Sequence, residues 1–217
     1  PADLREKVGL IFGSEFACAE TMRLYGSAGL TKGWRFAPPF VFIHSYANTP
    51  AAMLHIEHGL KGFSNVFSGY REAGVHALLD AYDAVATGAA ECVLAGAADA
   101  LGPLRYDRLF RSGALGTIDE PIAGAAPGEG AAFMLIAREG SELARAVSGS
   151  PLQAQMTVTR TPPPEDLTEP FLYNFGDCGS ANVPIAAAVS LLCPSTCGKA
   201  AFRVPDQPER NIWLERK

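Results

Sequence analysis

No stretch of this chain stays apolar for the ~18 residues that a membrane-crossing helix needs. Its first residues, PADLREKVG, place charges ahead of a short apolar run and do not read as a signal peptide. There is no basic run and no interleaving of aromatic with basic side chains, and the net charge is −5. Neither a nucleic-acid nor a membrane partner is therefore expected. Cysteine is sparse and irregularly placed, at Cys18, Cys92, Cys178, Cys193 and Cys197. Without a secretory signal, reduced thiols and a cytoplasmic location are the expectation. Cys193-Pro-Ser-Thr-Cys197 has no second Cys/His pair beside it, so no metal site is expected. Internal repeats, a GxSxG elbow, a phosphate-binding loop and a dinucleotide fingerprint are all missing.

What is present is the composition of a folded domain. The chain has 217 residues, 48% hydrophobic and 19% charged, enough to bury a real core. Val8–Phe12 reads as a buried strand, followed by a helix over Ser14–Tyr25 that ends at Gly26 and Gly29. Trp34–Ile43 reads as extended, because Pro38-Pro39 argues against helix. Asn48-Thr49-Pro50 opens a helix that stops at Gly59. Ser64–Gly96 then gives strand, tight turn at Gly69, helix over Gly74–Thr87 and strand over Glu91–Ala95, the pattern of a parallel crossover. Leu104–Leu115 reads as a semi-helical connection and Ile118–Pro127 as loop. Pro127–Gly130 turns into the strand AAFMLIA, and Ser141–Ala146 is a short polar helix. Ser148–Pro170, rich in Pro and Ser/Thr/Gln, reads as a linker. Leu172–Gly179 is loop, Ala181–Cys193 an apolar helix and Asn211–Leu214 a last strand.

Several of these segments, in this order, are similar to one family. Asn48 before a helix, Gly59-Leu60-Lys61-Gly62 ahead of a strand, Gly74-Val75-His76, Gly88 and VLAGAADA resemble the β-ketoacyl synthases of fatty-acid and polyketide assembly. Pro127-Gly128-Glu129-Gly130-Ala131 looks like that family's GEGAG turn, and the match runs from about Val8 to Arg138. The resemblance implies an α/β, thiolase-like layered α-β-α fold with a truncated or incomplete second half. It implies a ketosynthase-like N-terminal half over 1–147, the excursion at 148–170 and a remnant of the C-terminal half over 171–217.

The departures from the family pattern carry the functional reading. Where the family has T-A-C-x-S-G, this chain has Gly69-Tyr70-Arg71-Glu72-Ala73-Gly74, so Arg71 stands at the position of the nucleophilic cysteine. The family's D-x-N-x-H-G-T motif is missing, and its G-H-x-x-x-A-A-G loop aligns with Gly176–Ala181, with Asp177 in place of histidine. Condensation needs a thiolate, activated at a helix N-terminus, and imidazoles to assist decarboxylation and hold the enolate oxygen. Arginine stays protonated and offers no nucleophilic lone pair. Arg71 is then either a tolerated residue in a dead site or one that fills the former acyl site and pairs with Asp177, Glu72 or Glu129. His44, His55, His58 and His76 are scattered, and Cys18 reads as a packing residue. Cys178 beside Asp177 is the only pairing that looks like a site.

The expectation that follows is a non-catalytic subunit resembling the chain-length factors of type II polyketide systems, including those that make aryl polyenes. Its implied partners are an active ketosynthase in a heterodimer and an acyl-carrier protein, whose phosphopantetheine serves the partner, this chain binding no cofactor. In the family, the segment before the Asn48 helix is a strand that reaches toward the partner's pocket. Here that segment is Phe40, Val41, Phe42, Ile43 and His44, expected with Tyr70 and Arg71 to wall the tunnel. An acidic carrier would dock on Arg105, Arg108 and Arg111. Two other readings stand beside this one: a stand-alone acyltransferase or hydrolase using Cys178 or Cys18, and an acyl-carrier-binding scaffold.

Overall fold

The computed structural model describes residues 2–115, 126–147, 153–160, 177–192, 199–204, 206–207 and 209–216. The first sheet is built from β1 (Gly9–Ser14), β2 (Ser64–Ser68), β3 (Cys92–Asp99) and β4 (Gly130–Ala137), in the order β2-β1-β3-β4. β1 runs parallel to β2 and β3, and β4 closes the edge antiparallel to β3. The expected crossover from β2 to β3 exists, but its strands are not adjacent because β1 lies between them.

Side-chain alternation on β1 sorts the layers. Leu10 and Phe12 face α4 (Thr49–His58), packing with Ala51 and Leu54. Leu4 of α1 (Ala2–Arg5) and Leu143 of α7 (Glu142–Ala146) cover Cys92 nearby. Ile11 faces the other way, into the main core. There α5 (Ala73–Ala86) contributes Val75, Leu78 and Leu79, and α8 (Asn182–Leu192) contributes Ala186, Ala187 and Leu191. α5 is suited to this slot because eight of its fourteen residues are small or aliphatic and buried. The far side of that core is a second sheet of β5 (Ala154–Thr159), β6 (Lys199–Arg203) and β7 (Asn211–Arg216), in the order β5-β7-β6, all antiparallel. Phe202, Ile212 and Leu214 turn inward onto the central helices. The order is thus helices, sheet, helices, sheet. The outer face of the second sheet holds a shallow groove of about 450 Å³, lined by Gln155, Thr157, Thr159, Lys199, Trp213 and Glu215.

Five expectations are corrected by the structure. Trp34–Ile43 is not extended: Trp34–Phe36 is a 3₁₀ turn and Pro39–Ile43 is the short helix α3. Pro39 occupies the first helical position, where its missing N–H costs nothing, and Pro38 before it is extended, so the dipeptide starts a helix. α2 spans Ala19–Lys32 and runs through both Gly26 and Gly29; Gly29 is there because a Cβ would overlap the Trp34 ring. β3 continues past Gly96 to Asp99, and Pro103–Arg111 is a regular helix, α6. Within the proposed linker, Ala154–Thr159 is a strand fully paired with β7; its other described residues are Gln153 and Arg160, and 148–152 and 161–170 lie outside the described residues.

Candidate functional site

The carboxyl ends of β1 and β3 converge with the start of α5, which is where parallel α/β sheets present their chemistry. Gly13 lets this happen, since a Cβ there would meet the backbone of Ala73 at 2.7 Å. Gly69, at φ +92, takes the left-handed turn that delivers Tyr70 and Arg71 to the head of α5. Gly74 has no room for a side chain because the carbonyl of Ser180 lies against it. The 177–182 loop can therefore seat against the turn only because position 74 is glycine.

Two buried carboxylates hold this region together. Asp99, the last residue of β3, accepts hydrogen bonds from Ser14 Oγ (2.7 Å), Glu15 N–H (2.9 Å) and Phe16 N–H (3.3 Å). It also accepts from Ser180 N–H (2.8 Å) and Ser180 Oγ (2.5 Å). One carboxylate thus fastens the loop after β1 to the loop before α8. Ser14 Oγ in turn accepts from Ala17 N–H at 2.7 Å and holds Ala17 at φ +43, a conformation an L residue rarely adopts.

Asp177 is the second anchor. Its Oδ1 accepts from Gly179 N–H (2.9 Å) and Asn182 Nδ2 (2.8 Å), and its Oδ2 accepts from Arg71 Nη1 (2.8 Å). Arg105, 2% exposed, donates to the carbonyls of Gly128 and Asp177, each at 2.7 Å, and lies 3.6 Å from Asp177 Oδ1. Burial pushes the Asp177 carboxyl up, but the Arg71 charge, the Asn182 amide and the Gly179 N–H outweigh it and hold the group below its ordinary value. Glu15 goes the other way: burial raises it, and the opposing charges of Arg105 and Arg71 do not compensate.

Of the three acids expected to face Arg71, the structure selects Asp177. Glu129 instead accepts from Leu101 N–H at 3.1 Å, and Glu72 makes no side-chain cap to α5. Arg105 is not a docking residue: it is buried, and only Arg108 and Arg111 are exposed, Arg108 lying over the Phe16 ring and Arg111 paired with Asp107. Cys178 is buried 3.5 Å from where a Cβ on Gly130 would stand, and burial raises its thiol. The Cys18 thiol is raised for the same reason. A raised thiol is a poorer nucleophile at neutral pH, which counts against the stand-alone acyl-transfer reading at either cysteine. The histidines stay outside the site: His76 Nε2–H donates to Asp206 at 3.0 Å and His55 Nδ1–H to the Leu60 carbonyl at 2.9 Å. Phe40, Phe42, Ile43 and Tyr70 are exposed, and Val41 and His44 half-buried, on α3 and the turn rather than on a strand. Cys193 and Cys197 lie outside the described residues, among which no group of metal ligands occurs.

Asp99, Ser14, Glu15, Asn182 and Ser180 were not singled out from the sequence. The one available signal was an acid closing an otherwise apolar strand, Val93–Asp99; the roles of the others depend on loops meeting across the two halves.

Residues 1–141 match the profile of the β-ketoacyl synthase N-terminal domain. The chain belongs to the β-ketoacyl synthase family. Solved structures of this family share its fold at low identity. One is a type II polyketide acyl-carrier protein in complex with its ketosynthase bound to the hexaketide (TM-score 0.66, 17% identity, 98% of this chain and 76% of that one). Another is the ishigamide ketosynthase/chain length factor (0.64, 17%, 96% and 72%). A third is a β-ketoacyl synthase from Burkholderia phymatum STM815 (0.65, 14%, 97% and 76%). The thiolase-like layering is thereby established for this ketosynthase-family chain, which is shorter than those it matches.

Proposed function

We propose that this chain is a non-catalytic subunit, of the chain-length-factor kind, that pairs with an active ketosynthase and walls its acyl tunnel during polyketide or fatty-acid chain elongation. The observation that carries the reading is the Arg71–Asp177 ion pair at the head of α5. A guanidinium and a carboxylate replace the thiol and the imidazole that condensation requires, and neither accepts an acyl group. The pair is also built in rather than left over, since Asn182 and Gly179 donate to the same carboxylate and Arg105 holds the backbone carbonyl of Asp177. The phosphopantetheine arm of an acyl-carrier protein then delivers to the partner's cysteine. Phe40 to His44, on α3, supply the side chains that limit tunnel depth, with Tyr70 and Arg71 on the adjacent turn.

The test is reconstitution with an active ketosynthase, sought among the neighbouring genes, and its acyl-carrier protein. Intact-mass analysis is expected to show acylation of the partner only, with product formation requiring both chains. Acylation of this chain at a defined cysteine, or condensation by the partner alone with unchanged products, would remove the proposal.

A further inference from the structure

Residues 19–46 fold into an arm that has almost no core of its own. Gly29 is the only buried residue of α2, and neither the Trp34–Phe36 turn nor α3 has any. The arm is held together mainly by a ladder of rings, Trp34 on Tyr25 (5.9 Å), Tyr25 on Phe42 (5.3 Å) and Phe42 on Tyr46 (5.3 Å). Its footing on the rest of the protein is α6, where Glu20 accepts from Leu104 N–H at 3.3 Å. Leu30 is 81% exposed, Phe36 and Phe40 70%, and Trp34 60%; Met22, Leu24, Phe42, Ile43 and Tyr46 are also exposed. Ordering a helix–turn–helix costs conformational entropy that apolar burial must offset, and a five-residue helix such as α3 is not stable by itself in water. Here most of the apolar surface that would offset that cost faces solvent.

We propose that the arm folds only on assembly, and that the surface it folds against belongs to the active ketosynthase subunit; this rests on the pairing reading above. The nine exposed side chains present on the order of 1,000 Å² of apolar area, against about 800 Å² per partner in a stable interface. Aromatic anchors dominate the patch, as they do the centres of such interfaces. Lys32 and Arg35 have no ionic partner among the described residues, so the rim asks for an acidic margin on the partner. The arm therefore couples the folding of this chain to recruitment of its partner.

Hydrogen–deuterium exchange on the isolated chain, at a concentration where light scattering reports a monomer, tests this directly. Amides of 19–46 are expected to exchange at least 100-fold faster than those of α5, and to slow by a similar factor in the purified complex with the ketosynthase. A protected arm in the monomer overturns the proposal. So does a complex that forms while the arm stays open, an outcome that leaves the pairing itself intact. A homodimer with a protected arm, and no ketosynthase bound, overturns both. Phe36→Ser with Phe40→Ser touches no buried residue and is expected to weaken the complex at least tenfold while α5 protection in the isolated chain is unchanged; undiminished affinity counts against the arm.

Discussion

Deleting the Arg71 guanidinium measures whether the pair is a built element or a tolerated accident. In Arg71→Ala the Asp177 side chain, 9% exposed, keeps Gly179 N–H and Asn182 but loses its nearest cation, leaving Arg105 at 3.6 Å. A hydrogen bond between charged groups contributes about 1.5–3 kcal/mol. Arg71 is itself 46% exposed, so solvent screens its charge and the lower end applies, about 1–2 kcal/mol. For a chain of this size that lowers Tm by about 2–8 °C. The decisive form is a double-mutant cycle with Asp177→Ala, followed by urea denaturation in a Trp34→Phe background, so that Trp213 on β7 is the sole tryptophan reporter. A coupling of about 1 kcal/mol at pH 7 is expected. Its pH dependence has a fixed sign. The folded Asp177 carboxyl lies below its unfolded value of about 3.9, so the stabilisation is complete above that pH and disappears as pH falls through the folded value. Single effects that sum to the double within about 0.5 kcal/mol at neutral pH, or a coupling that persists after Asp177 is protonated, would refute the reasoning.

Other outcomes follow from the same geometry. Glu15→Gln is expected to raise Tm at pH 7–8 by about 1–3 °C; because the native carboxyl is raised by burial, the gain should vanish on acidification below the unfolded value, near pH 4, and a gain that grows there would contradict it. Gly74→Ala forces a methyl into the Ser180 carbonyl and should cost about 3 kcal/mol or more, read as lost soluble yield or a fallen midpoint. Iodoacetamide on the native chain should leave Cys92 unlabelled, its thiol pushed up to about 11 by burial, while Cys18, the most accessible of the described cysteines, reacts before it. Arg71→Cys, alone or with Asp177→His, is expected to give no condensation by radiolabelled malonyl assay, since the second histidine motif is missing from the chain. In the reconstituted complex, Phe42→Ala should lengthen the products seen by mass spectrometry; unchanged lengths would take α3 out of the gate.

The parts of this fold that were legible in the sequence are those set by short-range pattern. β1, α4, β2, α5 and β4 follow from apolar runs bounded by glycines, and Gly59, Gly69 and Gly88 all take the positive φ their positions suggested. Arg71 was legible because the turn and helix around it follow the family's T-A-C-x-S-G pattern. Misread segments depended on context that local pattern omits. Pro38-Pro39 can end or begin a helix, and the ring ladder onto Tyr25 decided for beginning. Gly29 was read as a stop when it is a seat for Trp34. Arg105 was read as a surface cation, and only the fold shows it facing the carbonyls of Gly128 and Asp177. β7 is legible over Asn211–Leu214, but β5 and β6 flank it and are recognisable only once it is placed.

Charge bookkeeping explains why the two departures from the family pattern belong together. Asp99 and Glu15 already place two carboxylates against Gly179: a Cβ on that glycine would lie 2.9 Å from an oxygen of each and 3.2 Å from Arg105 Nη2. An aspartate at 177 adds a third acid to a region whose only deeply buried cation is Arg105, at 2% exposure. Without another positive charge, the Asp177 carboxylate would be buried beside two further acids with Arg105 as their one close buried cation among the described residues, an unfavourable arrangement. Arg71 supplies that charge from the one direction left, the solvent side at the head of α5, where it remains 46% exposed. The helix N-terminus is a mildly unfavourable place for a cation, by about 0.3–1 kcal/mol. The hydrogen-bonded contact with Asp177 opposes that penalty. Either substitution by itself would therefore destabilise the 177–182 loop, whereas both together fasten it to the turn. Arg71 and Asp177 thus act as one structural unit, a pair that ties the turn at the head of α5 to the 177–182 loop.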